Sequence, residues 1–167
     1  APRREIEKML PFYNGKSPHA IASKRLEKQK LLGIVPPTAK LGMAGKFNPE
    51  GYEKTSAKRK DYIAECMAAY AAQIAIMDRG IGRILASLER HRLSDNTIVM
   101  FLSDNGATAE MPQNNKNKKT TLPTGPLGEV GCRDGYGPMW AAVSNTPYRQ
   151  YKIETFDGGL SAPFIIR

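Results

Sequence analysis

Asp104 and Asn105 stand side by side after the apolar run Thr97-Ile98-Val99-Met100-Phe101-Leu102, and Gly106 follows them. A carboxylate next to an amide oxygen is a pair of hard oxygen donors, suited to Ca²⁺ or Mg²⁺. Two donors do not complete the roughly six to eight ligands that Ca²⁺ takes, and Asp-Asn-Gly is equally good turn chemistry. A second group comprises Asn145-Thr146-Pro147-Tyr148-Arg149, then Lys152, then Asp157-Gly158-Gly159. Lys152 as a point charge and Arg149 as a planar fork can hold an oxyanion. On composition alone this stretch reads as a surface loop with a tight glycine turn.

The remaining reactive types are isolated. Cys66 falls on the apolar side of a helical pattern and reads as a small packed hydrophobe. Cys132 has cationic Arg133 beside it, and a passive loop thiol is the expectation. Two cysteines do not make a disulfide framework. His91 falls at the end of the long helix described next, where a cation complements the helix dipole.

The elements that must position these groups follow from periodicity and punctuation. Residues 2–10 read as a short helix. Ser17-Pro18 opens a second helix, to about Leu32, closed by Gly33. Residues 33–50, rich in proline and glycine, read as a surface connection. Between Ser56 and His91, apolar residues recur at Ile63, Met67, Tyr70, Ile74, Met77, Ile81, Ile84, Leu85 and Leu88. Steps of three and four predict one amphipathic helix with these positions in the core. Gly80 and Gly82 predict a kink or a close packing contact there. Ser94-Asp95-Asn96 reads as a turn. The unalternating run 97–102 predicts a strand buried on both faces of a parallel sheet, so helix followed by strand points to the α/β class. Residues 107–138 read as loop, and Ala162–Arg167 as the start of another strand. Ligands of such sheets gather at the carboxyl ends of strands, where Asp104 and Asn105 stand.

The 167 residues are 41% hydrophobic and 25% charged, an ordinary globular composition that excludes collagenous and low-complexity classes. No apolar run reaches the roughly 18 residues of a membrane span. The formal charge of +9 resides entirely in residues 1–60, with 14 Lys/Arg against 5 Asp/Glu. This is either a footprint for an anionic partner or a solvated pair of lysine-rich helices. No nucleic-acid-binding signature accompanies it, so a nucleic-acid partner is not expected.

Taken together, three stretches resemble the sulfatase family, arylsulfatase type. They are Tyr70–Leu88 with its Asp78-Arg79-Gly80-Ile81-Gly82; Asp95–Ala107 with Ser103-Asp104-Asn105-Gly106; and Trp140–Lys152 followed by Asp157-Gly158-Gly159-Leu160-Ser161-Ala162-Pro163. The resemblance covers roughly residues 20–167, and it departs at Asp157, where the family usually has Glu. It implies an α/β fold of the alkaline-phosphatase superfamily, with helices around a mostly parallel sheet that is incomplete in this chain. It divides one catalytic-domain segment into a basic helical region (1–50), a long helix and strand ending at the metal site (51–106), and a loop with the sulfate-site turn leading to a strand (107–167).

The resemblance further implies hydrolysis of a sulfate ester, in a small molecule or a sulfated glycan. It implies Ca²⁺ (or Mg²⁺) held in part by Asp104 and Asn105, and Lys152 as the catalytic lysine that contacts the sulfate. The family's nucleophile is a formylglycine made from Cys or Ser in Cys/Ser-x-Pro-x-Arg. Cys66 is followed by Met67-Ala68-Ala69-Tyr70 and Cys132 by Arg133-Asp134-Gly135-Tyr136, so neither fits. The expectation is an interior segment of a sulfatase, inactive by itself; exported compartments are common in that family, and the sequence gives no compartment for this chain. A phosphate- or phosphonate-ester hydrolase of the same superfamily and a basic polyanion-binding module are the alternatives.

Overall fold

The computed structural model describes residues 1–42, 52–110, 126–129, 132 and 135–167. The expected connection over 33–50 and loop over 107–138 therefore lie partly outside the described residues. Helix α1 spans Arg3–Met9 and runs into a 3₁₀ turn at Leu10–Phe12. Helix α2 spans Pro18–Leu31. Its start is set by Ser17, whose hydroxyl accepts from the Ala20 amide at 3.1 Å, with Pro18 in the first turn, where its missing N–H costs nothing. Its end is a Schellman motif. The Ile34 amide donates to the Gln29 carbonyl and the Gly33 amide to that of Lys30, with Gly33 at φ +68°.

Helix α3 runs unbroken over Ala57–Arg90, 34 residues and about 50 Å at 1.5 Å per residue. Ser56 caps it by accepting from the Arg59 amide. The helix continues through Gly80 and Gly82, and a Cβ at Gly82 would meet open space, so the glycines mark no close packing contact among the described residues. At the far end the Ser87 carbonyl accepts twice from His91, from its backbone amide at 3.1 Å and from Nδ1 at 2.7 Å. Helix α4 spans Gly137–Ser144. Sequence patterning did not single it out, because an apolar run without period reads as helix or strand alike.

The core forms where α1, α2 and α4 meet the first half of α3. Ile6, Cys66, Ala68, Ala72 and Leu127 make one cluster. Ala22, Met67, Trp140 and Val143 make the other. Trp140 is fully buried; its indole N–H donates to the Ile63 carbonyl at 2.8 Å, and Tyr13 packs edge-on to its ring. Cys66 is thus a packed hydrophobe, as its position predicts. Part of the basic charge is absorbed locally: Arg3 pairs with Glu65, Lys8 and Arg79 pair with Glu5, and Lys30 pairs with Glu27.

Two expectations are corrected. The core role assigned to the whole periodic face of α3 holds only for its first half: Ile74, Met77 and Ile84 are exposed, because among the described residues the core clusters end at Ala72, beyond which α1 offers the polar Arg79–Glu5 ion pair. The strand is shorter than 97–102 and, among the described residues, lies in no parallel sheet. Strand β1 (Met100–Leu102) pairs antiparallel with β2 (Phe164–Ile166), in the register Met100↔Ile166, Phe101↔Ile165, Leu102↔Phe164. Reciprocal bonds between Val99 and Arg167 extend the ladder. Both strands are exposed, Met100 at 58%, because a two-stranded ribbon buries neither face without a layer against each. Among the described residues no helix is long and apolar enough to cross a membrane.

Candidate functional site

The carboxyl end of β1 delivers Ser103-Asp104-Asn105-Gly106. The Ser103 hydroxyl donates to the Asn105 carbonyl at 2.8 Å, and Asn105 Nδ2 donates to Asp104 Oδ1 at 2.6 Å. That bond orients the pair: the Asn105 amide nitrogen is engaged, so its Oδ1 and the second Asp104 oxygen remain as acceptors. Asp104 is exposed and Asn105 partly so. The donor chemistry fits a hard divalent cation. Among the described residues there is no group of three His, Cys, Asp or Glu that would complete such a site.

The stretch after α4 is only partly a surface loop: Tyr148, Arg149, Ile153 and Phe156 are exposed. Gln150, Tyr151, Gly158 and Gly159 are buried. The segment folds back on itself, with the Gly158 amide donating to the Arg149 carbonyl at 2.9 Å as it enters the single turn α5 (Asp157–Leu160). Arg149 places its guanidinium 4.1 Å from the Phe156 ring centroid, a cation–π contact.

The loop after β1 meets this segment backbone to backbone. The Gly106 amide donates to the Gly159 carbonyl at 3.1 Å, and the Lys152 amide donates to the Ala107 carbonyl at 3.0 Å. A Cβ on Gly106 would overlap the Gly158 carbonyl, and one on Gly158 would overlap the carbonyls of Arg149 and Gln150. Glycine is required at these positions by close approach of three backbone segments. The chain stretches carrying Asp104, Asn105 and Lys152 are thereby brought together, and partly exposed Lys152 lies at their seam.

Asn145, named above only as a member of the second group, is the hub of this meeting. Its Oδ1 accepts from the Ala107 amide at 3.0 Å, and its Nδ2 donates to the carbonyls of Gln150 at 3.0 Å and Gly158 at 2.7 Å. The available signal was its place at the end of an apolar run, since Asn favours helix ends. Helix α2 secures the same end of α4. Arg25 donates to the Val143 and Ser144 carbonyls, and Gln29 to that of Thr146. A cleft of about 320 Å³ between the end of α2 and Ser144–Tyr148 borders Asn145 on its other side. Beneath the loop, Tyr136, Ala107 and Ala109 each pack against the buried cluster of Ala141, Ala142 and Tyr151. The Tyr136 ring also lies against that of Tyr70, with centroids 4.6 Å apart. Burial, with Tyr70 beside it, pushes the Tyr136 phenol up to about 12, so it stays protonated at neutral pH.

Comparison with known proteins identifies the family. A family model described as Sulfatase matches residues 35–167. An uncharacterized sulfatase of Schizosaccharomyces pombe is 29% identical over 174 residues, which covers all of this chain and 31% of the relative. An arylsulfatase of Klebsiella aerogenes is 34% identical over 123 residues, 69% of this chain and 26% of the relative. A steryl-sulfatase of Rattus norvegicus is 33% identical over 99 residues, 59% of this chain and 13% of the relative. The chain thus spans less than a third of the length of each of these relatives.

Proposed function

This chain belongs to the sulfatase family, and we propose that it carries part of the catalytic centre of a metal-dependent sulfate-ester hydrolase. The observation that carries the proposal is the seam between the two segments. Lys152 and Ala107 are joined backbone to backbone, so a lysine ammonium and the Asp104-Asn105 pair can address one anion. The family names of the relatives, arylsulfatase and steryl-sulfatase, supply the reaction class.

Asp104 and Asn105 would hold a Ca²⁺ or Mg²⁺ ion through their free oxygens and would supply two of its ligands. When bound, such an ion polarises a sulfate oxygen and offsets charge that grows on it. Lys152 donates to another sulfate oxygen as a point charge, which orients the ester and strengthens as negative charge develops. Gly106, Gly158 and Gly159 let the backbones approach closely enough for both groups to reach the same centre. The attacking group, a formylglycine in this chemistry, comes from outside these residues, so the chain alone is expected to hydrolyse no sulfate ester.

The test is hydrolysis of p-nitrophenyl sulfate and p-nitrophenyl phosphate by the intact protein, with and without a chelator. Faster turnover of the sulfate, lost on chelation and restored by Ca²⁺ or Mg²⁺, is the expected result. Preferential turnover of the phosphate would assign a phosphate-ester hydrolase instead, and indifference to chelation would remove Asp104 and Asn105 from a metal site.

A further inference from the structure

We infer that Asn145 is a positioning residue that sets the spacing between the Asp104-Asn105 loop and the Lys152 segment. A neutral carboxamide has an acceptor oxygen and two N–H donors. Asn145 uses both donors and its oxygen, and every partner is a backbone group of a segment that frames the candidate site. The oxygen holds Ala107, three residues after Asp104. One donor holds Gln150, two residues before Lys152. The other holds Gly158, whose carbonyl lies against Gly106. The Lys152–Ala107 backbone bond closes the circuit.

The anchor behind this clamp is the core. Asn145 ends α4, its amide donating to the Ala141 carbonyl at 3.2 Å, and α4 is packed through fully buried Trp140 and Val143. Rigid packing is thus passed to two otherwise irregular segments through one side chain, the arrangement a site needs to keep its groups in register. No other common side chain of this size does the same. Leucine would leave the Ala107 amide and two carbonyls without this partner. Aspartate would present acceptors to the carbonyls of Gln150 and Gly158. The inference rests on Asp104 and Lys152 acting on one sulfate, but the clamp itself is measurable without turnover.

The experiment compares intact wild-type protein with Asn145→Leu and Asn145→Asp, by amide hydrogen exchange and by steady-state kinetics on p-nitrophenyl sulfate. In Asn145→Leu, exchange at the Ala107 and Lys152 amides should rise roughly tenfold or more while the α3 amides of Ala68 and Ala72 stay protected. Turnover should fall on the order of 10- to 100-fold, the usual cost of losing a residue that orients ligands, with KM changed much less. Asn145→Asp keeps the acceptor for Ala107 and loses both donors. It should loosen Lys152 more than Ala107 and still lower kcat, which keeps the test decisive should the leucine variant fail to fold. Unchanged exchange at Ala107 and Lys152, or a loss of protection spread evenly into α3, would overturn the positioning role. Loosening of those two amides in a protein that hydrolyses no sulfate ester would sustain the clamp and overturn the sulfatase proposal.

Discussion

The backbone amide of Lys152 donates to the carbonyl of Ala107 at 3.0 Å, across 45 residues of sequence. Residues on either side of that bond are the ones proposed to meet the substrate. The lysine side chain starts from the bond itself, and Asp104 lies three residues before its acceptor. The proposed division of labour between Lys152, Asp104 and the glycines between them can therefore be tested one residue at a time.

Lys152→Ala in the intact protein should lower turnover of a sulfate ester by on the order of 100- to 1,000-fold, the usual cost of removing one donor aimed at developing negative charge. The backbone bond to Ala107 survives the substitution, so stability should change little. Lys152→Arg should recover little of the loss, because a planar fork does not reproduce a point contact. Kinetics of the two variants alongside thermal unfolding check this. Near-normal turnover in the alanine variant would remove Lys152 from the catalytic group.

Asp104→Ala should raise the Ca²⁺ or Mg²⁺ concentration needed for half-maximal activity and lower the maximum, while Asp95→Ala should leave both within about threefold of wild type, as expected of a surface substitution. Asp95 lies in the exposed 3₁₀ turn Ser94–Asn96 before β1, and Asp104 at its carboxyl end. Cation titrations of activity separate the two. Equal small effects would leave Asp104 as a turn residue.

Gly106→Ala should disable the site without unfolding the protein. The added methyl would overlap the Gly158 carbonyl, a backbone group that cannot rotate away, so the Gly106–Gly159 bond must open. Activity should fall at least roughly tenfold for even a small misplacement of the reacting groups. The helical circular dichroism, dominated by α3, should be unchanged. Gly82→Ala is the matched control: it adds the same methyl in open space and should be neutral or slightly stabilising.

Acid sensitivity should depend on Glu5. Its carboxylate accepts from Lys8 at 2.9 Å and from Arg79 at 3.0 Å, and these bonds, that of Lys8 foremost, hold it below the usual carboxylate range. A depressed value in the folded state means stability that is present at neutral pH and lost as pH falls through the folded value. Glu5→Gln should therefore lower stability at pH 7 and flatten its decline toward acid. Denaturant unfolding at neutral and acid pH measures both, and an unchanged slope would show that Glu5 is not the titrating link between α1 and α3.

What the sequence by itself determined was local. Helix α2 is legible from Ser17-Pro18 at one end and Gly33 at the other because its capping bonds close within five residues of chain. The span of α3 is legible because apolar period and an N-cap serine are properties of consecutive residues. The residue types of the candidate site, Asp104, Asn105 and Lys152, are legible for the same reason. The tertiary structure decided what lies opposite each element. The exposure of β1 could not be read from its apolar run, since burial is a property of the layer placed against it. The second half of α3 carries the same pattern as the first and differs in what is packed on it: among the described residues it adds nothing to the core clusters, and α1 meets it through the Arg79–Glu5 ion pair. Asn145 looked like one more polar residue after a helix because its partners stand 38, 5 and 13 residues away. A side chain's hydrogen-bonding capacity is written in its type, but the backbone groups that use it are chosen by where the fold brings the chain together.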